Sequence, residues 1–336
     1  MNILDSIVTR ARQHTSHIVL CEGEDPRILQ AAARAANEGI ARISLVGDAK
    51  AIVECASQAN VNLDNIQVID LTSSPLIPQL AETLYELRAA KGMTREQAQQ
   101  AVLDPLCFAN LMVHSGLADG SVAGAVHTTA NVVRTALQII GKAPMTRTVS
   151  SFFLMLFDKP WHSCPGGMIF SDCGLVIDPD EEQLADIALA AADSAQQLLG
   201  EAPRIAMLSF STAGSASHPL VDKVVNASRR VQQARPDILI DEDLQLDAAI
   251  RPEVSLRKLP TSKVQGRANV LVFPDLGAGN IGYKLAEHIG GAVAIGPLLQ
   301  GLKKPANDLS RSCSANDIYY VIAVTALQAA SNSQSL

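Results

Sequence analysis

His17-Ile18-Val19-Leu20-Cys21, the acidic turn Glu22-Gly23-Glu24-Asp25-Pro26, a helical stretch from Arg27 to Glu38 and the apolar run Ala41–Val46 together decide the fold. Strand, helix and second strand make a βαβ unit, with a right-handed crossover expected. The alternation continues with a helix at Ala49–Ser57, a strand at Ile66–Leu71, helices at Leu76–Ala90 and Glu96–Ser115, a strand at Ser121–Ala125 and a helix at Ala130–Ile140. After Gly141-Lys142-Ala143-Pro144 the pattern restarts. Strands are expected at Val149–Phe157, Gly167–Phe170, Ile205–Phe210, Ile238–Ile240, Asn269–Phe273 and Ala292–Ile295. Helices at Gln183–Leu199, Leu220–Ala234 and Gly279–Ile289 lie between them. The unbroken hydrophobicity of Val149–Phe157 fits a buried helix segment as well as a strand. Met1–Gln13 reads as an amphipathic helix, and Ala315–Ala330 as the last one. The economical account is α/β, with two three-layer α/β/α domains and mainly parallel sheets. Their expected extents are 1–144 plus 297–336, and 145–296.

Composition narrows the possibilities. At 336 residues the chain exceeds one ordinary core. Apolar residues make up 48% and charged ones 18%, which marks a globular protein. Aromatics are only 4%, so Ala, Val, Ile and Leu must fill the core, as suits helices packed on buried parallel strands. A formal charge of −7 speaks against nonspecific nucleic-acid or anionic-membrane binding, so anionic substrates must be drawn by local clusters of Arg and Lys. The six cysteines contain no CxxC pair and no zinc-ligand spacing. Without an export signal they read as reduced thiols of a cytoplasmic protein. No apolar run reaches the roughly 18 residues that mark a membrane span.

The densest polar stretch is Lys303-Lys304-Pro305-Ala306-Asn307-Asp308-Leu309-Ser310-Arg311-Ser312-Cys313-Ser314-Ala315-Asn316-Asp317. It reads as a loop feeding the N-terminus of the last helix, where free backbone N–H groups and the helix dipole favour anions. Gly277-Ala278-Gly279-Asn280-Ile281-Gly282 is a literal GxGxxG between a strand and a helix. A nicotinamide site also wants a carboxylate about 20 residues on. Ile295-Gly296-Pro297-Leu298-Leu299-Gln300-Gly301 supplies none, so a helix N-terminus holding some other anion, with Asn280 in it, is the stronger reading. Ser209–Ser217 lies at the carboxyl end of a strand, where ligands of open α/β sheets collect, and makes Ser211 and Thr212 candidate contacts. His127–Arg134 is the equivalent edge of the first half, with Thr129 near the helix start and Arg134 one turn in, able to clamp phosphate. Arg88 is a further candidate cation beside Glu86 and Lys91. Cys173 has no His in an activating motif, and no HExxH or carboxylate cluster indicates a metal site.

Taken together these segments resemble the phosphate acetyltransferase (phosphotransacetylase) family, within the wider acetyl/butyryl phosphotransferases. The resemblance runs from Glu22-Gly23-Glu24-Asp25 with Arg27, through Ala123-Gly124-Ala125 to Arg134, Phe170-Ser171-Asp172-Cys173 and Val272-Phe273-Pro274-Asp275-Leu276. It ends with Gly296-Pro297 and the most specific piece, Asn307-Asp308-Leu309-Ser310-Arg311. Gly279-Asn280-Ile281-Gly282-Tyr283-Lys284 is similar to the short form associated with ethanolamine utilisation.

That resemblance implies an isocitrate dehydrogenase-like fold with the site in the interdomain cleft, usually in a homodimer. It implies reversible acetyl transfer between acetyl phosphate and coenzyme A, with coenzyme A as substrate and no cofactor or metal. Asp317 would be the base for the thiol, Arg311 would stabilise developing charge, and Ser310 would position phosphate or the acyl carbonyl. Arg134 and Arg88 would bind anionic groups of the substrates, and Thr129, Ser211, Thr212, Asn280 and Gly296 are further candidate substrate contacts. The implied location is the cytoplasm or a bacterial microcompartment. Three other readings stay open: transfer of a larger acyl group such as butyryl, an NAD-dependent dehydrogenase, and a non-catalytic acyl-CoA sensor.

Overall fold

A computed structural model describes residues 3–144 and 146–334. Met1, Asn2 and Met145, which the expected first helix and second domain include, lie outside the described residues, as do Ser335 and Leu336. The chain divides into two compact units, Met1–Pro144 with Leu302–Leu336, and Met145–Gly301. The expected return to the first unit at residue 297 comes later, because one strand runs from Val293 to Gln300, bulging at Gly296–Pro297.

The first unit carries helices α1 (Ile3–Ala11), α2 (Pro26–Asn37), α3 (Ala49–Gln58), α4 (Ile77–Arg88), α5 (Arg95–Ala101), α6 (Pro105–His114) and α7 (Thr129–Ile139). Its strands are β1 (His17–Leu20), β2 (Arg42–Gly47), β3 (Ile66–Asp70) and β4 (Gly120–Ala123). After the second unit the chain returns as a fifth strand, β11 (Ala306–Asp308), and the long helix α13 (Ala315–Gln334). Order in the sheet is β11-β4-β1-β2-β3, every pairing parallel. β1, β4 and β11 are buried along their whole length, the pattern of a parallel sheet covered by helices. α13 packs on β1 and β4 beside α1 and α2, whereas α6 packs on β1, β2 and β4 beside α4 and α7. Two expectations fail here for local reasons. The single helix expected over Glu96–Ser115 is two, because Pro105 cannot continue a helix and Asp104 caps a new one through the Cys107 amide at 2.8 Å. Ala306–Asp308, read as polar loop, is instead a buried edge strand paired with Ser121–Ala123.

The second unit holds β5 (Ser150–Phe157), β6 (Gly166–Ser171), α8 (Glu181–Leu199), β7 (Arg204–Leu208), α9 (Pro219–Ala234) and β8 (Leu239–Leu244). It continues with α10 (Leu246–Ile250), α11 (Pro252–Lys258), β9 (Val270–Val272), α12 (Leu276–Lys284), a π-helical turn (Leu285–Ile289) and β10 (Val293–Gln300). The sheet order is β10-β5-β6-β9-β7-β8; β5 pairs antiparallel with both β10 and β6, and β6, β9, β7 and β8 run parallel. Val149–Phe157 therefore resolves as a central strand, buried because it has partners on both edges. Among the described residues no helix is long and apolar enough to cross a membrane.

Candidate active site

In the first sheet the order reverses between β1 and β4: the chain steps outward through β2 and β3, then returns to the other side of β1. Ligands of such sheets bind beyond the carboxyl ends of the strands flanking the reversal. The loops there are Cys21–Asp25 after β1 and Gly124–Thr128 after β4, joined by Leu309–Ser314 after β11.

A single buried carboxylate organises the second loop. Glu22 accepts hydrogen bonds from the backbone N–H groups of Gly124 (3.0 Å), Ala125 (2.8 Å), Val126 (2.9 Å) and His127 (2.8 Å), and contacts His127 Nδ1 at 2.8 Å. Burial alone would raise its pKa, but the His127 contact and the four amides outweigh it and hold the carboxylate below its ordinary value. The His127 ring is correspondingly raised, chiefly by Glu22. The loop so fixed ends at Thr128, whose hydroxyl caps α7 through the Asn131 amide, and α7 carries Thr129 and Arg134. Gly124 must be glycine: its φ is +115°, and a Cβ would lie 2.3 Å from Asp308 Oδ1 and 2.6 Å from Leu309 N.

Arg27 ties all three loops together. Its Nη1 donates to the carbonyls of Arg311 (2.8 Å) and Cys313 (3.0 Å), and its Nη2 donates to Ala125 O (3.0 Å) and Asp25 Oδ2 (2.8 Å). Asp25 also caps α2, so the same helix start aims the guanidinium. Ser310 and Arg311 are exposed on the segment thus pinned, and the Ser310 hydroxyl lies 2.8 Å from that of Ser312. Asp317, half-buried in the first turn of α13, accepts from both the amide and the hydroxyl of Ser314 at 2.8 Å through Oδ2. Cys313 is buried and its thiol is pushed up to about 11, mainly by burial.

Arg88 and Arg134 line one pocket of about 260 Å³, with Asp104, Cys107, His127 and Asn131 and an apolar wall including Leu84, Met93 and Ile139. Two guanidiniums over an apolar floor suit an anionic ligand with a flat or aliphatic body. Asn131 Oδ1 orients Arg134.

The four candidates of the second unit have internal occupations. Ser211 is buried, and its hydroxyl accepts from the Ala216 amide and meets Ser215. The Thr212 hydroxyl accepts from the Gln245 amide at 3.0 Å. Asn280 donates to Cys173 O at 3.2 Å. Gly296, with φ +149°, sits at a register shift in β10, where a Cβ would meet the Phe153 ring at 2.9 Å. The glycine motif itself lies within α12, which Asp275 caps, and does not form a loop before it. A Cβ on Gly279 would fall 2.3 Å from Asp172 O, and one on Gly282 2.8 Å from the Phe273 ring, so these glycines serve helix–strand packing. Cys173 is buried, which pushes its thiol well up.

Arg27, Glu22 and His127 carry the site's architecture without appearing among the candidates drawn from the sequence. Glu22 and Arg27 stand in the motif that carries the family resemblance and His127 at a strand end before α7, but the sequence assigned none of them a role.

Known proteins similar to this chain fall in one family. Residues 2–326 match the family model described as phosphate acetyl/butaryl transferase. Phosphate acetyltransferase of Paracoccus denitrificans is 49% identical over 328 residues, covering 98% of this chain and 99% of the other. The EutD phosphotransacetylase from Staphylococcus aureus superposes with a TM-score of 0.90 at 40% identity, covering 97% and 98% of the two chains. A phosphotransacetylase from Streptococcus pyogenes gives 0.92 at 40% identity, covering 98% of each. Near-complete coverage on both sides, at such identity, places this chain in the phosphate acetyl/butaryl transferase family.

Proposed function

We propose that Asp317, Arg311 and Ser310 perform the chemistry of the acetyl transfer that defines this enzyme, the reversible exchange of an acetyl group between coenzyme A and phosphate. The observation carrying these assignments is the Arg27 clamp, which holds the exposed Ser310–Arg311 segment at the carboxyl edge of β11, next to the helix start that bears Asp317. Both Ser314 hydrogen bonds fall on Oδ2 of Asp317, which leaves Oδ1 to take the proton of the coenzyme A thiol. A free thiol lies about 4.6 pKa units above a free aspartate, roughly 6 kcal/mol, so proton transfer must be coupled to attack and to cation stabilisation of the thiolate.

The thiolate sulfur then bonds to the acetyl carbon of acetyl phosphate. The carbonyl oxygen gathers negative charge, which the Arg311 guanidinium and Ser310 hydroxyl offset. On collapse the carbon–oxygen bond to phosphate breaks, and phosphate leaves as a stable hydrogen phosphate anion, taking up the proton that Asp317 had removed from the thiol. Every atom balances without a cofactor, and coenzyme A is a substrate. Arg88 and Arg134, brought to one pocket, bind its anionic groups there.

A homodimer is the assembly we propose. Ile281, Leu285 and Ile289 repeat at four-residue spacing, and Ile289 (80% exposed) lies near Trp161 (70% exposed), whose indole N–H donates to Gly290 O. That stripe adjoins the edge strand β10 and would bury itself against a second copy. A single-chain mass by light scattering would refute it. The likeness to a EutD protein supports, as part of the same reading, a role in ethanolamine use, in the cytoplasm or a microcompartment.

Mixing purified protein with acetyl phosphate and coenzyme A tests the function. Thioester absorbance should appear and reverse on adding phosphate. Background rates would sink the reading, and a preference for butyryl phosphate would shift it to the larger acyl group.

A further inference from the structure

Asp308, the last residue of β11, is fully buried, and neither of its carboxyl oxygens has a hydrogen-bond partner. Among the described residues it is the one side chain with two buried oxygens so placed. The neighbouring Leu309 amide is already used, donating to Ala123 O at 2.8 Å. The carboxyl instead presses on the turn after β4, where only the missing side chain of Gly124 leaves it room. The Thr129 hydroxyl and the Leu309 amide lie near the carboxyl but fall short of full hydrogen-bond geometry, and a buried carboxylate so weakly paired is costly, which favours the neutral acid. Burial pushes Asp308 up to about 7, and the negative charge of Glu22 adds to this, against the Thr129 hydroxyl and Leu309 amide. The titratable and charged groups on the surrounding segments are Glu22 after β1, Arg27 on α2, His127 before α7, Arg134 on α7, and Asp317, Tyr319 and Tyr320 on α13. Of these, Glu22 is held ionised by the Gly124–His127 amides.

We propose that Asp308 is a positioning residue for the acetyl transfer: as a neutral acid it lets β11 lie against the Gly124 turn and so holds Ser310 and Arg311 in place, while its ionised form sets a second negative charge beside Glu22 and pushes that segment away. Ser310 is two residues beyond Asp308 and Arg311 three, on the stretch whose carbonyls Arg27 grips, so a displacement at Asp308 reaches them directly. The inference rests on Ser310 and Arg311 being the groups that act on substrate.

Asp308→Asn, an isostere that stays neutral, and Asp308→Ala test it. The ratio of kcat in Asp308→Asn to kcat in the unaltered enzyme should rise at least tenfold between about pH 6 and about pH 8.5, with KM for acetyl phosphate changed less than about twofold. Between about pH 4 and about pH 7 Asp308→Asn should gain in melting temperature relative to the unaltered protein and the gain should level off above that, because a carboxyl with a raised folded pKa costs stability as pH rises from its unfolded to its folded value. Asp308→Ala, also neutral but smaller, should show the same pH trend from a lower kcat throughout. Superimposable pH profiles for all three proteins would overturn the proposal. If the variants do not fold, amide exchange of Leu309–Ser314 in the unaltered chain decides: it should speed up across the interval of the kcat comparison several-fold beyond the intrinsic base-catalysed change, and no excess would overturn the idea. A chain inactive at every pH would refute the acetyl-transfer reading, while the melting and exchange measurements still judge Asp308.

Discussion

Replacing Glu22 by Gln asks how much of the site hangs on one carboxylate. Oε1 accepts from Gly124, Val126 and His127, and Oε2 from Gly124 and Ala125. A Gln amide nitrogen in the Oε2 position cannot accept, so the Ala125 N–H loses its partner, at about 1–3 kcal/mol for a buried donor. The bonds that remain lose their charge assistance, which is worth roughly half of each. The total comes to about 3–5 kcal/mol, the scale for removing one member of a buried charged network; the Glu22 side chain is only 2% exposed, so solvent screening takes little of it away. The sign follows from the two titrations. Glu22 has a lowered pKa, so its contribution is present above about 4.3 and lost as pH falls through the folded value. His127 is raised, so its share is present below about 6.5 and lost as pH rises through its own folded value. The gap between Glu22→Gln and the unaltered protein should therefore be widest between about pH 4.5 and 6.5. Urea unfolding across that interval measures it, and proton exchange at Gly124–His127 should rise in parallel. A difference below about 1 kcal/mol with unchanged exchange would show that water satisfies these amides as well as Glu22 does.

Asp317→Asn should lower kcat by about 10²-fold or more while KM for acetyl phosphate changes far less, since a base acts in the transition state; an undiminished kcat would remove Asp317 from that role. Arg311→Ala should cost kcat far more than Arg88→Ala, whose loss should appear mainly in KM for coenzyme A; equal losses in kcat would mean the roles are misassigned. Gly279→Ala should destabilise the second unit by about 3 kcal/mol or more, because its Cβ would meet Asp172 O at 2.3 Å; a stable variant with a normal melting temperature would show that α12 can shift without penalty.

The alternation of apolar runs and helical stretches was legible from β1 to α7, because parallel strands buried on both faces read as short unbroken apolar segments. β11 was not, since Ala306-Asn307-Asp308 has no strand-like composition. Its pairing with β4 comes from tertiary context, and Asn307 is satisfied there by Thr325 and Gln328. The glycine-rich stretch misled for the opposite reason: its residues match a phosphate-binding turn, yet the close approach the glycines permit is to Asp172 and Phe273. Ser310, Arg311 and Asp317 were conspicuous as polar groups crowded into one short segment. Arg27 and Glu22 were not, because their work is done on backbone atoms, and a string of side-chain letters does not record which carbonyls and amides will converge.

The return of the chain to the first sheet after the whole second unit has a consequence for biosynthesis. β11 and the loop behind it reach the ribosome exit only after residues 145–301 have been made. Until then the carboxylate of Glu22 can gather its loop around β1 and β4, but Arg27 lacks the Arg311 and Cys313 carbonyls it will grip. Closing so long a sequence separation is slow compared with local helix and strand formation. The Ser310–Arg311 segment is thus the last part of its sheet to arrive, and a nascent chain stopped before it lacks both β11 and the helix α13 that covers β1 and β4.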